Sequence, residues 1–114
     1  MKMQINITVK SHDSGKTDSI KNYAAEQFSR IQDFLNREDW SPVQVEMVAH
    51  LSLTHAHQEF ELLVKCPHFT VMVKKQGEDL YQVINKVMDV ALADLHEHKR
   101  KWVDKKKAGD GFHR

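Results

Sequence analysis

The apolar residues of this chain follow two different spacings. Every second residue is apolar in the ranges 3–9, 43–53, 60–66 and 69–73. This alternation predicts four strands, each with one buried face. In the ranges 18–36 and 77–107 apolar residues recur instead at steps of three and four, which predicts two helices with one apolar face each. The predicted order of elements is therefore β-α-β-β-β-α.

Residues between these ranges predict where the elements begin and end. Thr17 and Asp79 are placed to cap the two helices, because a short side-chain oxygen can accept a hydrogen bond from a free backbone N–H. Pro42 ends any helix that precedes it. The stretches 11–16 and 54–58 are polar and predict turns.

The order of elements predicts an α+β fold, a two-layer sandwich with a four-stranded sheet. Three consecutive strands with short connections favour an antiparallel meander, which the first strand joins through a helical crossover. Because each helix has one apolar face, both helices should cover the same face of the sheet. Residues 1–107 are expected to form a single domain, and residues 108–114 a flexible tail. The uncovered sheet face should carry polar residues, namely Asn6, Thr8, Glu46, His50, Glu61, Lys65, Thr70 and Lys74.

The charge of the chain is small but unevenly distributed. The 114 residues have a net charge of +1, and residues 1–95 alone have ten Lys or Arg against thirteen Asp or Glu, a balance of −3. The stretch 96–107, called here the cationic segment, has six Lys or Arg against Glu97 and Asp104, a balance of +4. Basic side chains on a helix can displace counterions from a phosphate backbone. The alternative is a solvated helix end, since Lys and Arg also suit the negative end of a helix dipole.

The sequence gives little indication of a disulfide, a metal site, a catalytic site or a membrane span. The single cysteine, Cys66, excludes an intrachain disulfide and fits a reducing compartment. His55 and His57 could share one face of a strand, but no third ligand joins them. His96 and His98 point apart on a helix. No bound metal is therefore expected. Phosphate-binding loops and nucleophile motifs are absent, so we expect no enzyme, cofactor or small-molecule substrate. No apolar run reaches membrane-spanning length, which favours a cytoplasmic protein.

Several phrases of the sequence recur in one known family. They are the opening strand Met3-Gln-Ile-Asn-Ile-Thr, the helix start Thr17-Asp-Ser-Ile-Lys, the phrase Arg30-Ile-Gln-Asp-Phe, the helix entry Gly77-Glu-Asp-Leu-Tyr and the basic run His98-Lys-Arg-Lys. Together with the order of elements they resemble the bacterial ribosome hibernation-promoting factor and ribosome-associated translation inhibitor family. The resemblance covers residues 3–107.

The resemblance implies a non-enzymatic factor that binds the small ribosomal subunit. Members contact rRNA across the channel of mRNA and the A- and P-site tRNAs, and inhibit translation in stationary phase or stress. The chain resembles the short forms, without the C-terminal dimerisation domain of long members, and is expected to be a monomer when free. The short, mostly basic tail from Lys105 to Arg114 favours the hibernation-promoting form over the form with an extended acidic tail.

The resemblance also assigns candidate rRNA contacts by position. Charge alone adds Lys74 and Lys75 to this set. Ala93-Asp94 and Gln27 depart from the family, which often has basic residues there, and they fit the low net charge. The contacts implied by position are Lys21, Arg30, Lys86, Lys99, Arg100 and Lys101.

Two points stay open at the level of sequence. Trp102 is expected to close the core under the last helical turn, and stacking on a base is its alternative. The whole protein could instead be a small interaction module that docks a protein partner through the open sheet face or the helix tip, with no RNA partner. Such binding would hardly depend on salt.

Overall fold

The computed structural model describes residues 3–10, 17–51 and 57–111, with side chains as far as Lys101. The turn predicted at 11–16, most of the connection at 54–58 and the side chain of Trp102 lie outside the described residues. The elements follow the predicted order: β1 Met3–Lys10, α1 Thr17–Glu38, β2 Val43–His50, β3 Gln58–Lys65, β4 Thr70–Gly77 and α2 Leu80–Gly111.

The four strands form one sheet in the order β1-β2-β3-β4. β1 pairs with β2 in parallel, with Ile5 opposite Val45. β3 pairs antiparallel with both neighbours, so that Val64 lies opposite Val45 on one side and Val71 on the other. The predicted crossover and meander are therefore confirmed.

Several element boundaries differ from the predicted ones. β4 continues through Lys75 and Gln76, which the sequence suggested to be a link, because Gly77 still pairs with Gln58. Phe69, predicted to lie in β4, precedes it in a tight turn closed by the Cys66 N–H donating to the Phe69 carbonyl at 2.9 Å. α2 extends to Gly111, past the predicted end at residue 107.

The core lies between the helices and one face of the sheet. β2 alternates buried and exposed or half-buried positions along its whole length. Every fully buried residue in the described part of the chain is apolar, and none of the described buried side-chain N or O atoms lacks a partner. The largest of the completely enclosed side chains, at 0–1% exposure, include Phe28 and Ile31 of α1, Phe60 of β3, and Ile84 and Met88 of α2.

Particular residues begin and end the two helices. Asp79 caps α2, since its Oδ1 accepts a hydrogen bond from the Tyr81 N–H at 3.0 Å, as predicted. Gly77 lies so close to the first turn of α2 that a Cβ there would be 2.8 Å from Val83 Cγ2. α1 ends at Glu38, and the next residue, Asp39, has a left-handed φ of 50° and donates its N–H to the Leu35 carbonyl at 2.9 Å.

Within the described ranges, neither helix is both long enough and apolar enough to cross a membrane.

Candidate nucleic-acid interface

The second helix is much longer than the sheet that it covers. It has 32 residues, against eight in each strand. At a rise of about 1.5 Å per helical residue and about 3.3 Å per strand residue, this corresponds to roughly 48 Å against roughly 27 Å. Among the α2 side chains that the structure describes, up to Lys101, Leu95 is the last in the apolar core, with 0% exposure. α2 therefore projects beyond the sandwich, and most of the cationic segment lies on the projecting part.

Rings from four parts of the chain meet where α2 leaves the core, in a cluster called here the aromatic corner: Phe34, Trp40, Phe69, His96 and His98. Trp40 contacts Phe34 and Phe69 edge-on, with ring centroids 5.7 and 5.0 Å apart. On α2, His96 lies 4.4 Å from the Phe34 ring, and His98 stacks on Phe69 at 4.3 Å and 5°. α2 is thus held by α1 on one flank and by the turn between β3 and β4 on the other.

Lys99 continues this attachment with an ion pair. Its Nζ lies 2.8 Å from Glu38 Oε2 at the end of α1, and 5.9 Å from the centre of the Phe34 ring. The Glu38 side chain is 20% exposed and that of Lys99 43% exposed, so the pair is partly shielded from water. Lys99 is accordingly directed towards the body of the protein.

The next two basic residues are more exposed than Lys99. Arg100 bonds to Glu97, one turn earlier on the same helix, and this hydrogen bond holds the pKa of the Glu97 carboxyl below its usual value. Lys101 is exposed. Lys99, Arg100 and Lys101 therefore share one segment but differ in their surroundings.

The two basic residues predicted on α1 lie on different sides of that helix. Lys21 and Arg30 are nine positions apart. At about 100° per residue they are roughly half a turn apart around the axis. Arg30 faces α2, since its Nη2 lies 2.9 Å from Asp89 Oδ1, with both side chains more than half exposed. Lys21 is exposed on the other side of α1.

Neighbouring lysines on β4 point to opposite faces of the sheet. Lys74 lies on the open face, with its Nζ 3.5 Å from Glu59 Oε1. The Gln76 amide donates to the same carboxylate at 2.9 Å and, with Lys74, lowers the pKa of Glu59. Lys75 lies on the helix side, where it lines a shallow pocket together with Lys86 of α2. The eight predicted contact residues therefore occupy more than one face of the molecule.

A polar and aromatic contact fixes α1 against α2 at the end remote from the cationic segment. The Tyr23 hydroxyl donates to Asn85 Oδ1 at 2.7 Å, and the Tyr23 ring packs edge-on against Tyr81 at 4.8 Å. With the Arg30 pair in the middle and Lys99 at the far end, the two helices are joined along the whole length of α1.

Neither the aromatic corner nor the ion pair of Glu38 with Lys99 was predicted from the sequence. A signal was nevertheless present at Trp40, which is an aromatic residue in a connecting segment of charged and polar residues. His98 also follows Leu95 at a step of three, so it continues the buried face of α2. In the described part of the chain no three His, Cys, Asp or Glu residues group in a way that could hold a metal ion.

Comparison with known proteins identifies a family for the chain and two solved structures of similar fold. No curated protein matches it. A solved ribosomal subunit interface protein from Coxiella burnetii has 19% sequence identity and a TM-score of 0.66, with 88% of this chain and 99% of that chain covered. The N-terminal domain of Thermus thermophilus Protein Y has 21% identity and a TM-score of 0.57, with coverages of 76% and 89%. At these identities the two structures show the shared fold.

The sequence model of one family matches residues 7–103, which confirms the resemblance seen in the sequence. The chain thus belongs to the sigma 54 modulation protein / S30EA ribosomal protein family.

Proposed function

We propose that this protein is a ribosome-associated hibernation factor. It binds the rRNA of the small subunit at the decoding region, in the channel for mRNA and tRNA, and inhibits translation in stationary phase or stress. The observation that carries the proposal is the family match over residues 7–103. The similarity in fold to a protein named for the ribosomal subunit interface supports the same assignment.

The distribution of charge supports an RNA partner for the projecting part of α2. The balance of +4 in the cationic segment contrasts with −3 in residues 1–95. A phosphate backbone therefore attracts the projecting helix and repels much of the body, which orients the protein as it approaches. Inhibition on this account is steric, since a rigid body in the channel excludes mRNA and tRNA without any chemical step.

The candidates for these contacts are the eight basic residues identified above, and their placement fits a channel. Lys75 and Lys86 line one pocket beside α2, while Lys74 lies on the opposite face of the sheet. Lys21 is on the outer side of α1. Cations on several faces suit a protein with RNA on more than one side better than a protein docked on a flat surface.

One observation favours the alternative of a protein partner. Met72 on the open sheet face is 60% exposed, and its register partner Leu63 is half-buried beside it. Apolar side chains on an otherwise polar face can form the centre of a small docking site. A Met72→Gln variant distinguishes a protein partner from an RNA partner, because it removes apolar contact area without altering charge.

Sedimentation of the purified protein with separated ribosomal subunits tests the proposal. We expect saturable binding to the small subunit at about 50 mM salt and weaker binding at about 200 mM, since each phosphate contact costs roughly threefold over that range. Met72→Gln should bind as the wild type does. Absence of binding, or binding that ignores salt and is lost in Met72→Gln, would contradict the proposal.

A further inference from the structure

We infer that Glu38 and the aromatic corner fix the direction in which the cationic segment projects from the body of the protein. Lys99 is then a positioning residue and not an RNA contact. The inference rests on the proposed function and assigns separate roles within its set of basic residues. Glu38 has no part in that set, because an acidic residue would ordinarily oppose RNA binding.

The contacts at the base of the projecting helix carry this inference. His96 and Lys99 attach α2 to Phe34 and Glu38 of α1, whereas His98 stacks on Phe69 in the turn between β3 and β4. These attachments lie on opposite flanks of α2 within a single turn of helix. Attachment on both flanks at one level restricts the direction in which a helix can leave its support.

The length of the projecting part makes this direction important. The residues from Arg100 to Gly111 continue α2 beyond Lys99. At about 1.5 Å per residue they extend it by roughly 18 Å, so a tilt of about 10° at the base displaces the tip by roughly 3 Å. Such a displacement equals the length of a hydrogen bond, about 3 Å, and is enough to remove a lysine from a phosphate.

The surroundings of Lys99 argue against a direct phosphate contact. Its ammonium is already 2.8 Å from the Glu38 carboxylate. Moving it to a phosphate would replace one anionic partner by another and leave Glu38 unpaired near the RNA. Exchanging partners in this way releases few counterions, and counterion release is the main gain in binding a polyanion. Lys101 is exposed, and no salt bridge to a described side chain holds it as Glu38 holds Lys99.

The Glu38→Gln variant distinguishes the two roles because they require opposite results. If Lys99 were an RNA contact held back by Glu38, removing the carboxylate would free the amine and tighten binding. If Glu38 positions the helix, its removal weakens binding although the protein becomes more positive. Should the bound direction fall to roughly a third of the population, the apparent Kd rises about threefold.

The experiment measures Kd for small ribosomal subunits over a series of salt concentrations. The variants are Glu38→Gln, Lys99→Met, Lys99→Arg and Lys101→Met, with Glu26→Gln, at an exposed position of α1, as the matched control for loss of an acid. We expect Glu38→Gln and Lys99→Met to weaken binding about threefold with the salt slope unchanged. Lys99→Arg keeps the pair and should bind like the wild type. Lys101→Met should lower the slope by about one contact, roughly 0.7–0.9.

A second readout on the free protein needs no ribosome. Amide hydrogen exchange over residues 100–107 should be faster in Glu38→Gln than in the wild type and unchanged in Glu26→Gln, because loosening the base lets the helix fray further. The inference is overturned if Glu38→Gln tightens binding, if Lys99→Met lowers the salt slope as Lys101→Met does, or if exchange does not change. A wild-type protein that fails to bind subunits contradicts the proposed function, while the exchange result still decides the role of Glu38.

Discussion

Replacing Phe69 by leucine tests whether the aromatic corner is a structural support of α2. The Phe69 ring contacts Trp40 edge-on at 5.0 Å and stacks on His98 at 4.3 Å. It links the β3–β4 turn to α2. Leucine keeps most of the apolar volume at this half-buried position but cannot make either ring contact.

The magnitude follows from the two ring pairs. An aromatic pair contributes about 0.5–1.5 kcal/mol beyond its buried area. Two pairs would give about 1–3 kcal/mol, and partial exposure together with the apolar contact that leucine retains favours the lower half, about 1–2 kcal/mol. For a domain of this size the melting temperature should then fall by roughly 4–8 °C.

Urea unfolding and amide exchange provide the assay. Phe69→Leu should lower the free energy of unfolding by that amount with an unchanged m-value, and should speed exchange at residues 96–101 more than in the strands. Met72→Leu, in the same hairpin but 60% exposed, is the matched control. Its stability should stay within about 0.5 kcal/mol of the wild type. If both variants have wild-type stability and exchange, the ring contacts do not support α2 and the reasoning is wrong.

Three further predictions concern other parts of the fold. Gly77→Ala should destabilise by about 1–2 kcal/mol in urea unfolding, because the new methyl group would be 2.8 Å from the Val83 side chain; an unchanged midpoint would contradict this close approach. Asp39→Gly should raise the free energy of unfolding by roughly 0.5 kcal/mol, since glycine adopts the φ of 50° without strain. A lower melting temperature for this variant would refute that expectation. Burial raises the pKa of Cys66 to about 11. At pH 8 this leaves roughly a hundredfold less thiolate than an ordinary thiol has, so iodoacetamide should label the folded protein at least about tenfold more slowly than the urea-unfolded one; equal rates would exclude this.

The fold could be predicted from the sequence because each element has one buried face. The alternation in β2 and the three- and four-residue steps in α2 reflect that geometry directly. The end of β4 could not be predicted in the same way. Lys75 and Gln76 look like a polar link, and only their pairing with β3 makes them part of a strand.

The charge of the candidate site could be predicted from the sequence, but the tertiary contacts that hold it in place could not. The basic run at Lys99 is visible in the sequence, whereas its pairing with Glu38 joins residues 61 positions apart. The ring contacts of Trp40 and Phe69 likewise depend on the tertiary fold. Spacing along the chain indicates which face of a helix is buried, but it does not show which other element covers that face.

The structure also changes how the basic run should be tested. Reversing Lys99 to glutamate would place a second carboxylate beside Glu38, so a loss of binding could arise from a displaced helix. Neutralising Lys101 avoids this conflict, because its side chain is exposed and forms no salt bridge with another described side chain. A lower salt slope in that variant reports on the RNA contact itself.

The most direct test of the account is a comparison of two kinds of small subunit. Binding of fluorescently labelled protein is measured to empty small subunits and to subunits preloaded with mRNA and a P-site tRNA, at one salt concentration. If the protein occupies the mRNA and tRNA channel, it should bind the empty subunits and be excluded from the loaded ones. Equal affinity for both would contradict the central claim, because it would place the protein outside the channel.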